Sequence, residues 1–153
     1  MDKILVAVDG SDRSLQAAQK ASDLFELKEV EITVITVLQE AKSTVYDVPH
    51  GTTSAMSTET MQKLREDKKE AAKEKGHKIV KKAASYYKEL GLDVSEVIKF
   101  GRPADVICDY AEDNDFDMIV LADKGHGGVR RYLLGSISDR VVRHAEISVL
   151  VVK

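Results

Sequence analysis

Ile4-Leu5-Val6-Ala7-Val8-Asp9-Gly10-Ser11 decides how the rest of the chain is read. Its apolar part shows no alternation with polar residues. That suits a strand covered on both faces, as in a parallel sheet. Gly10 allows a tight turn, and Ser11 can cap the helix that follows. Residues 11–25 then set Leu15, Ala18, Ala21 or Ser22, and Phe25 on one helical stripe. A buried strand, a tight turn and an amphipathic helix make the first half of a β-α-β unit.

Working outward, four more apolar runs follow: Ile32–Leu38, Val94–Phe100, Met118–Ala122 and Val149–Val152. Met118–Ala122 and Val149–Val152 are nearly continuous, like the first run. Ile32–Val37 and Val94–Phe100 alternate with Thr, Ser, Glu and Lys, as strands nearer an edge do. Between them the spacing predicts helices over 59–90, 103–113 and 137–145. The first would face inward through Met61, Leu64, Ala71, Ala72, Ile79, Ala83, Tyr87 and Leu90, and stop at Gly91. Its stretch Arg65–Lys78 is so polar that it reads as a solvated helix face. Pro103 suits a first helical turn, with Val106, Ile107 and Tyr110 inward. Ser136 and Asp139 form an S-x-x-D capping pair for the last helix, and His144 lies near its end, where a cation suits the dipole. The alternating order argues an α/β fold with a mostly parallel sheet and right-handed crossovers. No internal repeat or domain boundary appears, so one domain over 1–153 is expected. Residues 39–58, rich in Ser, Thr, Pro and Gly, read as a mobile loop.

Composition narrows the function. The chain has 153 residues, with 23 Lys plus Arg against 26 Asp plus Glu, a net charge of −3. A mildly acidic chain is a poor nucleic-acid binder. No apolar run approaches the roughly 18 residues of a membrane span, and no signal peptide is evident. A cytoplasmic location is expected. The single cysteine, Cys108, excludes an internal disulfide and reads as a small buried residue. Charge is uneven: residues 102–118 hold Arg102 against six acidic residues, whereas 122–153 hold six basic against three acidic. A local site for a small anion stays open.

In an open α/β sheet, ligands bind beyond the carboxyl ends of the strands, where strand order reverses. The segments after strands one and four are therefore the candidates. After strand one, Asp9 either bonds only nearby backbone amides, or accepts hydrogen bonds from a ligand or approaches a metal. After strand four stands Ala122-Asp123-Lys124-Gly125-His126-Gly127-Gly128-Val129-Arg130-Arg131, leading through Gly135-Ser136 into the last helix. Its glycines expose backbone N–H groups, the helix N-terminus favours anions, and Lys124, His126, Arg130 and Arg131 add positive charge. Together they describe a phosphate cradle. The alternative is a plain glycine turn with solvated arginines. There is no G-x-x-x-x-G-K-[ST], no G-x-G-x-x-G after strand one, no G-x-S-x-G and no H-E-x-x-H. The four histidines show no metal-ligand spacing, and no catalytic set can be nominated. A phospho-receiver is disfavoured because strand one ends in one Asp and strand three in Phe100-Gly101-Arg102. A pyrophosphatase-type synthetase is disfavoured because Asp9-Gly10-Ser11-Asp12 lacks a double glycine.

Ile4–Ser11 resembles the opening of universal stress proteins. Gly125–Val152 resembles their C-terminal signature, above all Leu133-Leu134-Gly135-Ser136-Ile137-Ser138, Arg143-His144-Ala145 and Ser148–Val152. Gly101-Arg102-Pro103 fits between them, so the likeness spans the chain. The resemblance implies a five-stranded parallel sheet of order 3-2-1-4-5 with helices on both faces, Rossmann-like and of the adenine nucleotide alpha hydrolase type. It implies a homodimer paired through the last strand, residues 148–153. One branch binds ATP through G-x-x-G, nine residues, then G-[ST]. Gly125, nine residues and Gly135-Ser136 fit, but the first glycine falls on Ala122. The extra methyl, if not accommodated, would overpack by roughly 1–3 kcal/mol and weaken binding about 5- to 150-fold.

By that resemblance, Ala7, Val8 and Asp9 border adenine and ribose, and Val37 packs on the adenine. Ala122 lies close to the ribose, and Gly125, His126 and Gly127 approach the phosphates, which meet Gly135, Ser136, Ile137 and Ser138 at the helix start. The implied ligand is ATP, or AMP or ADP, with Mg²⁺ held through the phosphates. The implied role is a nucleotide-binding module in stress response or signalling. A nucleotide-independent dimeric scaffold and a slow ATPase stand as alternatives.

Overall fold

In the computed structural model, residues 2–25, 29–39, 57–126 and 134–153 are described. They form β1 (Asp2–Ala7), α1 (Asp12–Phe25), β2 (Val30–Leu38), α2 (Thr58–Lys88), β3 (Val94–Phe100), α3 (Pro103–Asp113), β4 (Met118–Ala122), α4 (Ser136–His144) and β5 (Ser148–Val152). The strands build one sheet in the order β3-β2-β1-β4-β5. Every pairing is parallel, with Ile4 opposite both Ile32 and Met118. The order reverses between β1 and β4.

The unbroken apolar run in β1 has a direct cause. Ile4, Val6 and Val8 face one core with α1 and α2, where Leu15, Ala18, Phe25, Val80 and Tyr87 pack. Leu5 and Ala7 face the opposite core with α3 and α4, among Ile107, Cys108, Ala111 and Val141. Successive side chains alternate faces, and both faces are covered. Cys108 is a free, buried thiol.

Several details differ from the sequence reading. β2 lies next to the edge strand β3, nearer an edge as its alternation suggested, yet its residues 32–36 are buried. Thr33 and Thr36 made it look polar, yet both lie inside. β5 lies at an edge and is only half-buried, although its composition matched the inner strands. In α2, Met61 and Leu64 are exposed, at 44% each, and Ala71 is exposed. The buried face begins at Gly76 and continues through Val80, Ala83, Ala84 and Tyr87. The polar Arg65–Lys78 face is indeed solvated apart from Ala72, which is half-buried, and Gly76, which is buried. In α3, Ala104, Ile107, Cys108 and Ala111 are buried, while Val106 and Tyr110 are half-buried.

Local signals set the ends. Gly10 has φ +82°, and a Cβ there would meet Ile79 of α2 at 2.7 Å, so both backbone and space require glycine. The Ser11 hydroxyl accepts from Ser14 N–H at 3.1 Å and caps α1. The Ser136–Asp139 box is not formed. Gly135 is the N-cap without a side-chain bond, and Asp139 pairs with Arg143 one turn on, at 2.9 Å. His144 stands exposed in the last turn of α4. The long connection read at 39–58 lies, apart from its ends, outside the described residues. No helix among the described residues is long and apolar enough to cross a membrane.

Candidate functional site

The carboxyl ends of β1, β2 and β4 open into a cleft at the point where strand order reverses. From β1 and the turn after it come Ala7, Val8 and Asp9, and from β2 come Ile35 and Val37. Leu121, Ala122, Lys124 and Gly125 follow from β4, and Ile137 and Ser138 from α4. Ser14 of α1 and Pro103 and Ile107 of α3 complete the wall. The sheltered space is about 70 Å³ and opens to solvent. Pockets that enclose a small ligand hold roughly 300–1,000 Å³, so a ligand here would keep part of itself outside.

The cleft has an apolar and a polar end. Ala7, Ile35, Leu121 and Ile107 are buried, which gives a slot suited to a flat apolar face. Asp9 and Lys124 supply the charge. Lys124 is only 7% exposed, so a cation is held against the cleft and not out in water.

Asp9 is the most heavily bonded side chain of the site. Its Oδ1 accepts from Ser11 N–H at 2.9 Å and from the Ser11 hydroxyl at 2.6 Å. Its Oδ2 accepts from His126 N–H at 3.2 Å and faces His126 Nδ1 at 3.1 Å. Burial pushes the Asp9 carboxyl up. The hydroxyl and N–H of Ser11, the Ser14 hydroxyl and the charge of His126 outweigh burial and hold it below the ordinary aspartate value. Asp9 thus bonds the amides of Ser11 and His126, and it also lines the cleft.

Gly125 is small for a reason that spacing did not reveal. A Cβ there would run into the Asp9 carboxylate. Gly135 donates its N–H to the Asp123 carbonyl at 2.7 Å, and a Cβ on it would lie 3.2 Å from Lys124 Cα. The loop after β4 and the start of α4 are thus pressed together. Ser138 is buried and donates its hydroxyl to the Ala122 carbonyl at 2.8 Å, so its side chain is spent on structure. Ser136 is exposed. The Asp123 carboxylate, a possible repellent of anions, is taken up by Arg13 at 2.8 and 3.0 Å.

The structure brings Ala7, Val8, Asp9, Val37, Ala122, Gly125, Ile137 and Ser138 to one cleft. His126 reaches it through Asp9. Gly135 and Ser136 adjoin it at the start of α4. Gly127, Arg130 and Arg131 lie outside the described residues. The sequence reading missed Ser14, Ile35, Pro103, Ile107 and Leu121. Pro103 was within reach, because a helix starting after β3 begins at the same end of the sheet. No group of three or more His, Cys, Asp or Glu that could hold a metal occurs among the described residues.

Comparison with known proteins bears on the whole chain. The model of the universal stress protein family matches residues 1–153. A universal stress protein of Methanocaldococcus jannaschii is 32% identical over 151 residues, covering 99% of this chain and 81% of its own. A second, YxiE of Bacillus subtilis, is 28% identical over 154 residues, with 99% of each chain covered. Among solved structures, a hypothetical protein whose biochemical function was assigned from its structure aligns with a TM-score of 0.80 at 23% identity, over 99% and 95% of the two chains. A universal stress protein in complex with cAMP aligns at 0.66 and 22%, over 99% and 95%. An Arabidopsis thaliana family protein with AMP bound aligns at 0.68 and 22%, over 100% and 92%. Those structural likenesses carry the fold, and the sequence match carries the kinship: this chain belongs to the universal stress protein family.

Proposed function

We propose that the chain is an adenine nucleotide-binding module, with the cleft at the β1–β4 switch point as its site. The observation that carries this reading is the convergence of an apolar slot, an ionised carboxylate and a sheltered lysine at that one place. The base would lie in the slot against Ala7 and Val37, with Val8 beside it. Asp9 would accept from the ribose. Phosphates would extend toward Lys124, Gly125 and the N–H groups at the start of α4, from Gly135 to Ser138. Those donors suit an anion, and pairing of Asp123 with Arg13 removes a competing negative charge. Mg²⁺ would be carried by the phosphates. Related proteins holding cAMP and AMP support the ligand class.

In this reading the chain works as one cytoplasmic domain in stress response or signalling. Nucleotide occupancy would act through shape and pairing and not through rapid chemistry. A homodimer would form along β5, whose half-buried apolar edge favours a second strand. A nucleotide-independent dimeric scaffold is the second reading. It is favoured by Ala122, which is 6% exposed at the cleft, and by the small sheltered volume.

Calorimetric titration of nucleotide-free protein with Mg-ATP tests the proposal. Saturable micromolar binding at one site per chain is expected. No heat up to millimolar ATP, with binding gained in Ala122→Gly, would favour the scaffold.

A further inference from the structure

The Asp9 carboxylate is already satisfied from within the chain. An ionised carboxylate offers about four acceptor positions. Ser11 takes two through its N–H and hydroxyl on Oδ1, and His126 takes two through its N–H and Nδ1 on Oδ2. A carboxylate only accepts, so Nδ1 must carry the proton in this contact.

We propose that His126 is an internal occupant of the cleft, and that a ligand hydroxyl reaches Asp9 by displacing it. The inference rests on the reading of the cleft as a nucleoside site and adds its regulation. The two halves of the carboxylate differ in strength. The Ser11 bonds are local, two residues away, and belong to the turn that starts α1. The His126 bonds join residues 117 apart, and the ring is 66% exposed. The exposed, non-local pair gives way first. Among the described residues, the charged groups near this end of the sheet include Asp12 and Arg13 in α1, Arg102 and Asp105 at the start of α3, Asp123 and Lys124 after β4, and Asp139 and Arg140 in α4, where Arg140 pairs with Asp105 and Asp139 with Arg143. Arg13 and Asp123 are paired with each other, which leaves Asp9 as the charge bonded to the ring. The backbone N–H of His126 also bonds Oδ2, so a ligand hydroxyl that takes over this oxygen competes with two bonds from one residue.

Two measurements on the full chain test this. Affinities for Mg-ATP and for Mg-2′,3′-dideoxy-ATP are compared between wild type and His126→Ala. An exposed pair of this kind corresponds to roughly 1.5- to 5-fold in affinity. His126→Ala should therefore bind Mg-ATP tighter by about that factor. The dideoxy ligand, without the hydroxyls that need Asp9, should show no such gain. Equal or weaker Mg-ATP binding by the variant overturns the role of His126 and leaves the site reading standing. Binding of neither ligand by either protein overturns both. Independently of any ligand, ¹⁵N spectra of the His126 ring at pH 8 should show the Nδ1–H tautomer, reverting to Nε2–H in Asp9→Asn. An Nε2–H ring in the wild type overturns the inference alone.

Discussion

Asp9 carries opposing influences, and their balance sets a pH dependence. Its folded value lies below the ordinary aspartate value of about 3.9. The unfolded chain therefore binds the proton first as pH falls. The stability that Asp9 contributes is complete above about pH 4 and is lost as pH drops through the lower folded value. Thermal unfolding of Asp9→Asn should start from a lower midpoint at pH 7. Its decline between about pH 4 and pH 2 should be shallower than in wild type, and parallel declines would contradict this assignment. Cys108 shows the reverse balance. Burial, then Glu112, Asp109 and Asp105, push its thiol up, which suits the inert packing role read from the sequence. Gly125 marks how far single residues were legible. Its membership of the site followed from glycine spacing, but the carboxylate that forbids a side chain lies 116 positions away in the chain (125 − 9). No local pattern encodes that contact, nor the bond from His126 to the same group.

At the scale of elements, α2 is the instructive case. Thirty-one helical residues span about 46 Å, whereas the nine residues of β2 span about 30 Å. A helix longer than the sheet beneath it cannot bury its whole length. Its first half, with Met61 and Leu64, is exposed, and its buried residues run from Gly76 onward. Periodicity finds a helical face but not where its support ends. Gly76 sits where helix and sheet meet. A Cβ there would stand 3.2 Å from Leu38 Cδ1 and 3.3 Å from Ile98 Cδ1 and Cγ2. Gly76→Ala gains about 1 kcal/mol in helix propensity and loses roughly 1–3 kcal/mol to overpacking. A net loss of up to about 2 kcal/mol in urea unfolding is expected, and a net gain would mean that Leu38 and Ile98 yield freely. Tyr87 ties the packed half down by donating to the Ala18 carbonyl of α1 at 2.8 Å. The five strands were legible because three are short continuous apolar runs and two alternate apolar with polar residues, both strand patterns. The capping of α4 was not, because Asp139 had a partner one turn on.

At the scale of the molecule, the two margins of the sheet are unlike. β3 exposes Ser95, Glu96 and Lys99; Glu96 pairs with Lys88 at 2.6 Å, and Lys99 lies over the Tyr110 ring. β5 is Ser148 followed by four half-buried apolar residues, with no charge along it. If the β5 margin pairs with its own copy, sedimentation at micromolar concentration should report twice the 16.9 kDa chain mass. A monomer at those concentrations would count against pairing. The strand order behind this was legible only through family resemblance, since the alternation of strands and helices fixes handedness but not which strands are outermost.

The unlike margins also limit growth. A sheet inviting at both sides can add copies without end, and like charges or hydration at a rim are what stop it. Here one rim is armed with charge and the other is not. A twofold contact at the unarmed rim would use up the inviting margin of the sheet on both partners and leave charged rims outermost. If it pairs there, the chain would close into a pair while resisting fibre formation, and a neutral, apolar β3 would remove that protection.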